Sequence, residues 1–227
     1  MKLTVFVGSP RGRKSNTNFI LNHFLDGFAA TPGNSHELFY LIHLKDTDHF
    51  VQAFAAAERV LLAHPIYTDA MPGLVKGFIE ELEPLCGRDG NPDLGFIVQS
   101  GFGEAEHSRF VARYHEKLAR RLGCSYLGTV IKPNCEPVQV YTKMFKNVFE
   151  EFYQLGEHFG ETGHFDQTLL QQMAKPESFS APMRLFWRSM WKIQNGTGKS
   201  YWDEKLKANG AYKLRFSRPY DEKEGNQ

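Results

Sequence analysis

The chain has 227 residues, of which 41% are hydrophobic, 14% aromatic and 23% charged, a usage that excludes fibrous, collagen-like and disordered classes. With 27 Lys+Arg against 26 Asp+Glu the formal charge is +1, so the chain-wide charge gives no reason to expect a nucleic acid or a membrane as partner; a polyanion binder would need a local patch. Three scattered cysteines, Cys86, Cys124 and Cys135, form no CxxC pair and suggest reduced thiols in a cytoplasmic, unexported protein, with no disulfide framework and no metal site.

Leu3 to Val7 is short, β-branched and aromatic, and ends in Gly8-Ser9-Pro10, the pattern of a strand entering a tight loop. Phe19, Ile20, Phe24, Leu25 and Phe28 then recur at helical spacing as far as Pro32-Gly33. A second strand is expected over Glu37 to Leu44, a helix around Phe50 to Ala55, and a third strand over Arg59 to Ala63, whose unbroken apolar run suits a strand covered on both faces. A helix carrying Leu74, Phe78, Ile79 and Leu82 follows, then a strand over Leu94 to Gln99 and a helix from Phe110 to Leu122 closed by Gly123. Tyr126 to Ile131 gives a fifth strand, and Met144 to Phe159 the last helix of the series. Strands alternating with helices predict a doubly wound, parallel α/β sheet over 1–163. Residues 164–227 lack further strand signals and form a mostly helical C-terminal extension, expected to pack on the core or on a dimer partner. From Phe165 on, this segment has eleven basic and seven acidic residues, so what precedes it is net acidic.

The chemistry concentrates in Gly8-Ser9-Pro10-Arg11-Gly12-Arg13-Lys14-Ser15-Asn16-Thr17, between the first strand and the first helix. A phosphate needs donors converging on one point. Here a turn offers the hydroxyls of Ser9, Ser15 and Thr17, the Asn16 amide, three cations including Arg11, and the unpaired N–H groups of a helix N-terminus. The GxGxxG spacing is absent, so the loop suits a terminal monophosphate better than a pyrophosphate. Gly196-Thr197-Gly198-Lys199-Ser200 echoes the end of a Walker A loop, but Ile193 stands where the first glycine is required and no strand precedes it, which argues against ATP there.

The glycine-serine-proline-arginine start and Ser15-Asn16-Thr17 end of this loop, with the stretch Pro65-Ile66-Tyr67-Thr68-Asp69-Ala70-Met71-Pro72-Gly73-Leu74-Val75-Lys76-Gly77-Phe78-Ile79-Glu80, resemble the flavodoxin-like NAD(P)H-dependent FMN reductase and quinone reductase family. Gln99-Ser100-Gly101-Phe102-Gly103-Glu104 is a third, weaker mark. The resemblance covers roughly residues 1 to 163. It implies strand order 2-1-3-4-5, FMN with its phosphate on the first loop, and an isoalloxazine ring lined by the backbone of Pro65, Ile66, Tyr67 and Thr68 and by the Met71 side chain. Ser100, Gly101, Phe102 and Gly103 would lie under the pyrimidine edge. In an open sheet of that order the loops after strands one, three and four converge outside the carboxyl ends of the strands, where ligands sit.

The activity implied is hydride transfer from NAD(P)H through flavin N5 to a quinone, flavin or other small electron acceptor. The cofactor carries that chemistry, so no catalytic acid or base is assigned, and Tyr67 and Gly101 have supporting roles. The resemblance also implies a homodimer. The alternative is a flavodoxin-type FMN electron carrier without NAD(P)H activity. Such carriers are typically shorter and strongly acidic.

Overall fold

A computed structural model describes residues 1–197 and 201–217, so part of the Walker-like echo, residues 198–200, lies outside the described residues. The chain forms two compact units, Met1–Ser178 and Phe179–Gln227.

In the first unit five strands, β1 (Lys2–Val7), β2 (Ser35–Tyr40), β3 (Arg59–Pro65), β4 (Asp93–Gln99) and β5 (Tyr126–Lys132), form one sheet in the order β2-β1-β3-β4-β5. All neighbouring pairs are parallel, with Phe6 opposite Phe39 on one side and Leu62 on the other. Parallel neighbours require crossovers, supplied by α1 (Asn16–Ala30), α2 (Thr47–Ala56), α3 (Gly73–Glu81) and α4 (Glu106–Leu122), while α5 (Lys146–Thr162) follows β5. Gly123 ends α4 in the left-handed conformation at φ 78°, the usual role of a glycine after a helix.

The third strand, expected to be covered on both faces, has Leu61 and Ala63 in one core layer and Val60 and Leu62 in the other, and β1 is sandwiched likewise. Leu3, Val5 and Val7 pack with Ile20, Phe24 and Phe28 of α1 and Phe152 and Phe159 of α5. Phe6 points the other way, into a layer with Phe50, Phe54, Phe78, Leu118 and Leu122. Helices α1 and α5 cross at backbone contact. A Cβ on Gly27 would collide with the Tyr153 carbonyl, and one on Gly156 with the Phe24 carbonyl.

Of the boundaries that differ from expectation, two are set by local turns. The second strand ends at Tyr40: Leu41 N–H makes the last bond to β1, at Val7 O, and His43 N–H then turns back to Tyr40 O, so Leu44 starts a 3-10 turn instead of extending the sheet. The last helix begins at Lys146, preceded by a 3-10 turn over Thr142–Phe145. Past α5 the chain stays on the sheet. Gly95 and Gly128, paired across β4 and β5, leave a flat patch on which the Phe165 ring lies, and α6 (Gln167–Met173) adds the buried Met173. The compact unit thus runs fifteen residues beyond the expected break after 163.

The second unit contains α7 (Ala181–Thr197), α8 (Tyr201–Ala208) and a 3-10 turn at Tyr212–Leu214, where the Arg215 guanidinium lies 3.9 Å from the Tyr212 ring centre.

Candidate functional site

The order β2-β1-β3 reverses direction of winding between β1 and β3, and that switch point opens a crevice outside their carboxyl ends. Residue 8 must be glycine for β1 to enter it. A Cβ there would overlap Val75 Cγ2, and Gly8 N–H donates to Ala63 O at 2.7 Å, tying the first loop to β3.

The loop then makes a 3-10 turn over Gly12–Lys14, with Gly12 at φ 53°. Ser15 caps α1, its Oγ accepting from Asn18 N–H at 3.0 Å. A hydroxyl that accepts in this way keeps its own proton to donate. Ser9, Ser15 and Thr17 are all buried, and Thr17 Oγ1 accepts from Gln99 Nε2 at 3.1 Å, which joins the first loop to the end of β4. The N–H groups of Asn16 and Thr17 open the helix and have no intrahelical acceptor. Arg13 is spent elsewhere, its guanidinium 4.6 Å from the Tyr40 ring centre. Arg11 and Lys14 are exposed and form no ion pair among the described residues.

Asn16 acts differently from the amide donor expected for a phosphate. Both hydrogens of its Nδ2 go to carbonyls, Cys135 O and Glu136 O at 2.9 Å each, and its Oδ1 accepts from Gln139 Nε2 at 2.6 Å. Gln139 also donates to Lys14 O at 3.2 Å. The side chain therefore moors the loop after β5 to the first loop, and what Asn16 can offer an anion is its backbone N–H. Glu136 and Gln139 belong to the site's frame, although nothing in their local sequence marks them.

The loop after β3 begins with Ile66 N–H donating to Gln99 O at 2.9 Å, then closes a two-residue turn in which Tyr67 and Ala70 exchange backbone hydrogen bonds at 2.9 and 3.2 Å. Its corners, Thr68 at φ 50° and Asp69 at φ 62°, are both left-handed without being glycine. A β-branched residue there is a true outlier, of the sort that concentrates at ligand clamps. The turn projects Tyr67, which is 49% exposed, while Ile66 is buried. Met71 is half-buried against Val75 and Leu74's layer.

The loop after β4 is fastened to the loop after β5: Ser100 N–H donates to Lys132 O, Cys135 N–H to Ser100 O at 2.7 Å, and Asn134 N–H to Phe102 O at 2.6 Å. A Cβ on Gly101 would come to 3.2 Å from Glu136 Cβ. Phe102 stacks on His107 with centroids 4.2 Å apart, and His107 Nδ1 lies 2.8 Å from Asp69 Oδ1, linking the second loop to the third. Gly103 lies in the same loop, which ends where α4 begins. Thus the structure brings together Ser9, Arg11, Ser15, Asn16 and Thr17 on the first loop, Pro65, Ile66, Tyr67, Thr68 and Met71 on the second, and Ser100, Gly101, Phe102 and Gly103 on the third, with Thr17–Gln99 and Asp69–His107 as cross-links.

Beneath the second loop lies a buried chain that the sequence did not announce. His64 Nδ1 is 2.9 Å from Pro65 O, His64 Nε2 is 3.0 Å from His115 Nε2, His115 Nδ1 is 3.2 Å from Thr129 Oγ1, and that oxygen is 2.8 Å from Tyr126 OH. A carbonyl only accepts, so His64 carries its proton on Nδ1 and accepts at Nε2. His115 must then donate from Nε2 and accept from Thr129 at Nδ1. Burial drives His64 down to about 4 despite the Pro65 hydrogen bond, and burial next to His64 holds His115 well below its usual value. Both rings are neutral near pH 7. Burial likewise pushes the Cys135 thiol up to about 12, so it is an unreactive packing group.

No family model matches this chain, and no curated protein matches it. Solved structures do. An FMN-dependent NADH-azoreductase from Bacillus anthracis, in complex with FMN, aligns at 12% identity over 70% of this chain and 100% of its own, with a TM-score of 0.55. An NAD(P)H:quinone oxidoreductase from Methanothermobacter marburgensis aligns at 13% over 74% of this chain and 98% of its own, TM-score 0.56. The apo form of an NADH:FMN oxidoreductase aligns at 16% over 73% and 90%, TM-score 0.55. At such identities the likeness shows a shared fold: the chain has the flavodoxin-like doubly wound architecture.

Proposed function

We propose that the chain is an FMN-dependent NAD(P)H oxidoreductase acting on a quinone, flavin or other small electron acceptor. The observation that carries the reading is the opening of α1, where the buried Ser9, Ser15 and Thr17 hydroxyls, the first-turn N–H groups and the exposed Arg11 and Lys14 stand together at the sheet's switch point. The donor set fits a phosphate monoester. Short hydroxyl and amide donors at a helix N-terminus stabilise a compact dianion, and two unpaired cations attract it. The neighbours support the same reading, since the solved structures aligned above include an enzyme in complex with FMN and enzymes described as using NADH or NAD(P)H.

FMN, when bound, supplies a ring able to accept a hydride from a reduced nicotinamide and return electrons to an acceptor. The chain's own residues bind and orient it. Pro65 to Thr68 and Met71 would line the ring, with the strained Thr68–Asp69 turn fixing the position of Tyr67. Ser100 and the backbone N–H groups of Gly101, Phe102 and Gly103 would stabilise negative charge at the ring's edge, on a loop held still by Asn134 and Cys135. The exposed Tyr67 and Phe102 leave room for an apolar acceptor. A homodimer in the cytoplasm belongs to the same reading.

Fluorescence titration with FMN and with riboflavin tests it. Charge-assisted hydrogen bonds contribute about 1.5–3 kcal/mol each, so FMN should bind roughly 100-fold more tightly than riboflavin. Equal affinity for the two would remove the phosphate from the first loop.

A further inference from the structure

From Phe179 to Trp202 the sequence has four cations, Arg184, Arg188, Lys192 and Lys199, and no acidic residue, although the whole chain is almost neutral. This is the local patch that the chain-wide charge conceals. The same segment carries Phe179, Phe186, Trp187, Trp191, Tyr201 and Trp202.

The helix α7 distributes these residues by side. Arg184, Arg188 and Lys192 recur every fourth residue and form one cationic stripe, whereas Met183, Phe186, Trp187 and Met190 recur at three-and-four spacing along a second, adjoining apolar stripe, with Leu185, 66% exposed, on the far border of the cations. Among the described residues the large side chains of the apolar stripe are exposed, Met190 less so. Met183 is 44% exposed, Phe186 53% and Trp187 49%, with Phe186 and Trp187 in edge contact at 5.5 Å and Phe179 stacked on Trp187 at 6.3 Å. Large apolar side chains clustered at such exposure mark an interaction surface.

We propose that α7 is an interfacial anchor that lies in the surface of an anionic lipid bilayer, with its Phe-Trp-Met side in the headgroup boundary and its Arg-Lys side against the lipid phosphates. Among the described residues no helix is long and apolar enough to cross a membrane, so the mode is peripheral. The occupant is a bilayer because both halves of the helix are then satisfied at once. Tryptophan and phenylalanine suit a region that is apolar on one side and wet on the other, the stems of arginine and lysine reach past them to the headgroups, and a strip without one carboxylate meets no repulsion from anionic lipid. Net charge and the lack of a spanning stretch give no reason to expect a membrane partner; the proposal rests on this local strip instead. A reductase held at a lipid surface would meet apolar acceptors dissolved in it; that consequence rests on the reductase reading, while the binding itself does not.

Full-length protein is sedimented with vesicles of phosphatidylcholine alone and of phosphatidylcholine mixed with phosphatidylglycerol, at low and high salt. Binding to the mixed vesicles only, weakened by salt, is expected. The triple variant Arg184→Gln, Arg188→Gln, Lys192→Gln should lose roughly 100-fold in affinity, given the usual contribution of each basic residue near an anionic surface. Phe186→Ala with Trp187→Ala should lose binding too. All these side chains are exposed, so circular dichroism and FMN uptake should be unchanged. Failure of the native chain to sediment with anionic vesicles overturns the proposal. So does a native dimer that dissociates, by light scattering, in the Phe186→Ala/Trp187→Ala variant while neither form binds vesicles, because the face then belongs to a second copy.

Discussion

His64 and His115 meet ring to ring, Nε2 to Nε2 at 3.0 Å, in an interior where both are fully buried and Phe96 stacks flat on His115 at 3.9 Å. The pair is locked in one tautomeric order by the Pro65 carbonyl at one end and the Thr129 hydroxyl at the other. Neither ring can take a second proton without losing that order.

Stability therefore depends on pH with a definite sign. In the unfolded chain His64 titrates at its ordinary 6.5, in the folded chain at about 4, so the unfolded state binds more protons between these values. The stability is whole above pH 6.5 and falls as the pH drops toward about 4, by on the order of 3 kcal/mol for His64 alone. Urea midpoints measured across that interval should fall, and the double variant His64→Asn, His115→Phe should flatten the slope. An unchanged slope in the variant would assign the acid loss to other groups.

Gly8 and Val75 are coupled by exclusion. Gly8→Ala should destabilise by about 2 kcal/mol through overpacking and weaken FMN binding, because the added methyl overlaps Val75 Cγ2 at the mouth of the first loop. Val75→Ala in the same chain should restore much of both. A double-mutant cycle with no coupling would mean that residue 8 acts through backbone conformation instead.

Ser15 has two duties that can be separated. Ser15→Ala removes the cap on Asn18 N–H, costing about 1 kcal/mol of stability, and should weaken FMN about 10-fold or more while leaving riboflavin nearly unaffected. Asn16→Ala instead frees the Cys135–Gln139 loop, so it should weaken both flavins alike. If the two variants gave the same FMN-to-riboflavin ratio, the division of roles between these neighbours would be wrong.

Thr68 holds a left-handed backbone at φ 50° that glycine adopts freely. Thr68→Gly should raise thermal stability, by about 1 kcal/mol, and lower the reductase rate by loosening Tyr67. A variant both less stable and equally active would show that the turn is not strained.

The sheet was legible because its strands carry unbroken β-branched and aromatic runs such as Val60-Leu61-Leu62-Ala63, and because Gly, Pro and Ser punctuate their carboxyl ends. The three loops were legible for the second reason. What escaped is long-range. Asn16 and Gln139 are 123 positions apart and His64 and His115 are 51 apart, and single polar residues at such distances leave no periodic trace. The Gly95–Gly128 patch that holds Phe165 was hidden likewise, since a glycine in a strand shows that something approaches closely without showing what. The strand signal ends before 163, so the sequence marks a break there, whereas α6 is held by packing on the sheet.

The absorbance spectrum of the FMN-loaded protein under anaerobic conditions, before and after NADPH and then NADH, separates the reductase from a carrier. A bound flavin spectrum should bleach within seconds with one of the two. A protein that takes up no FMN would contradict the site, and one that holds FMN yet stays yellow with both nucleotides would contradict the reductase and leave an electron carrier.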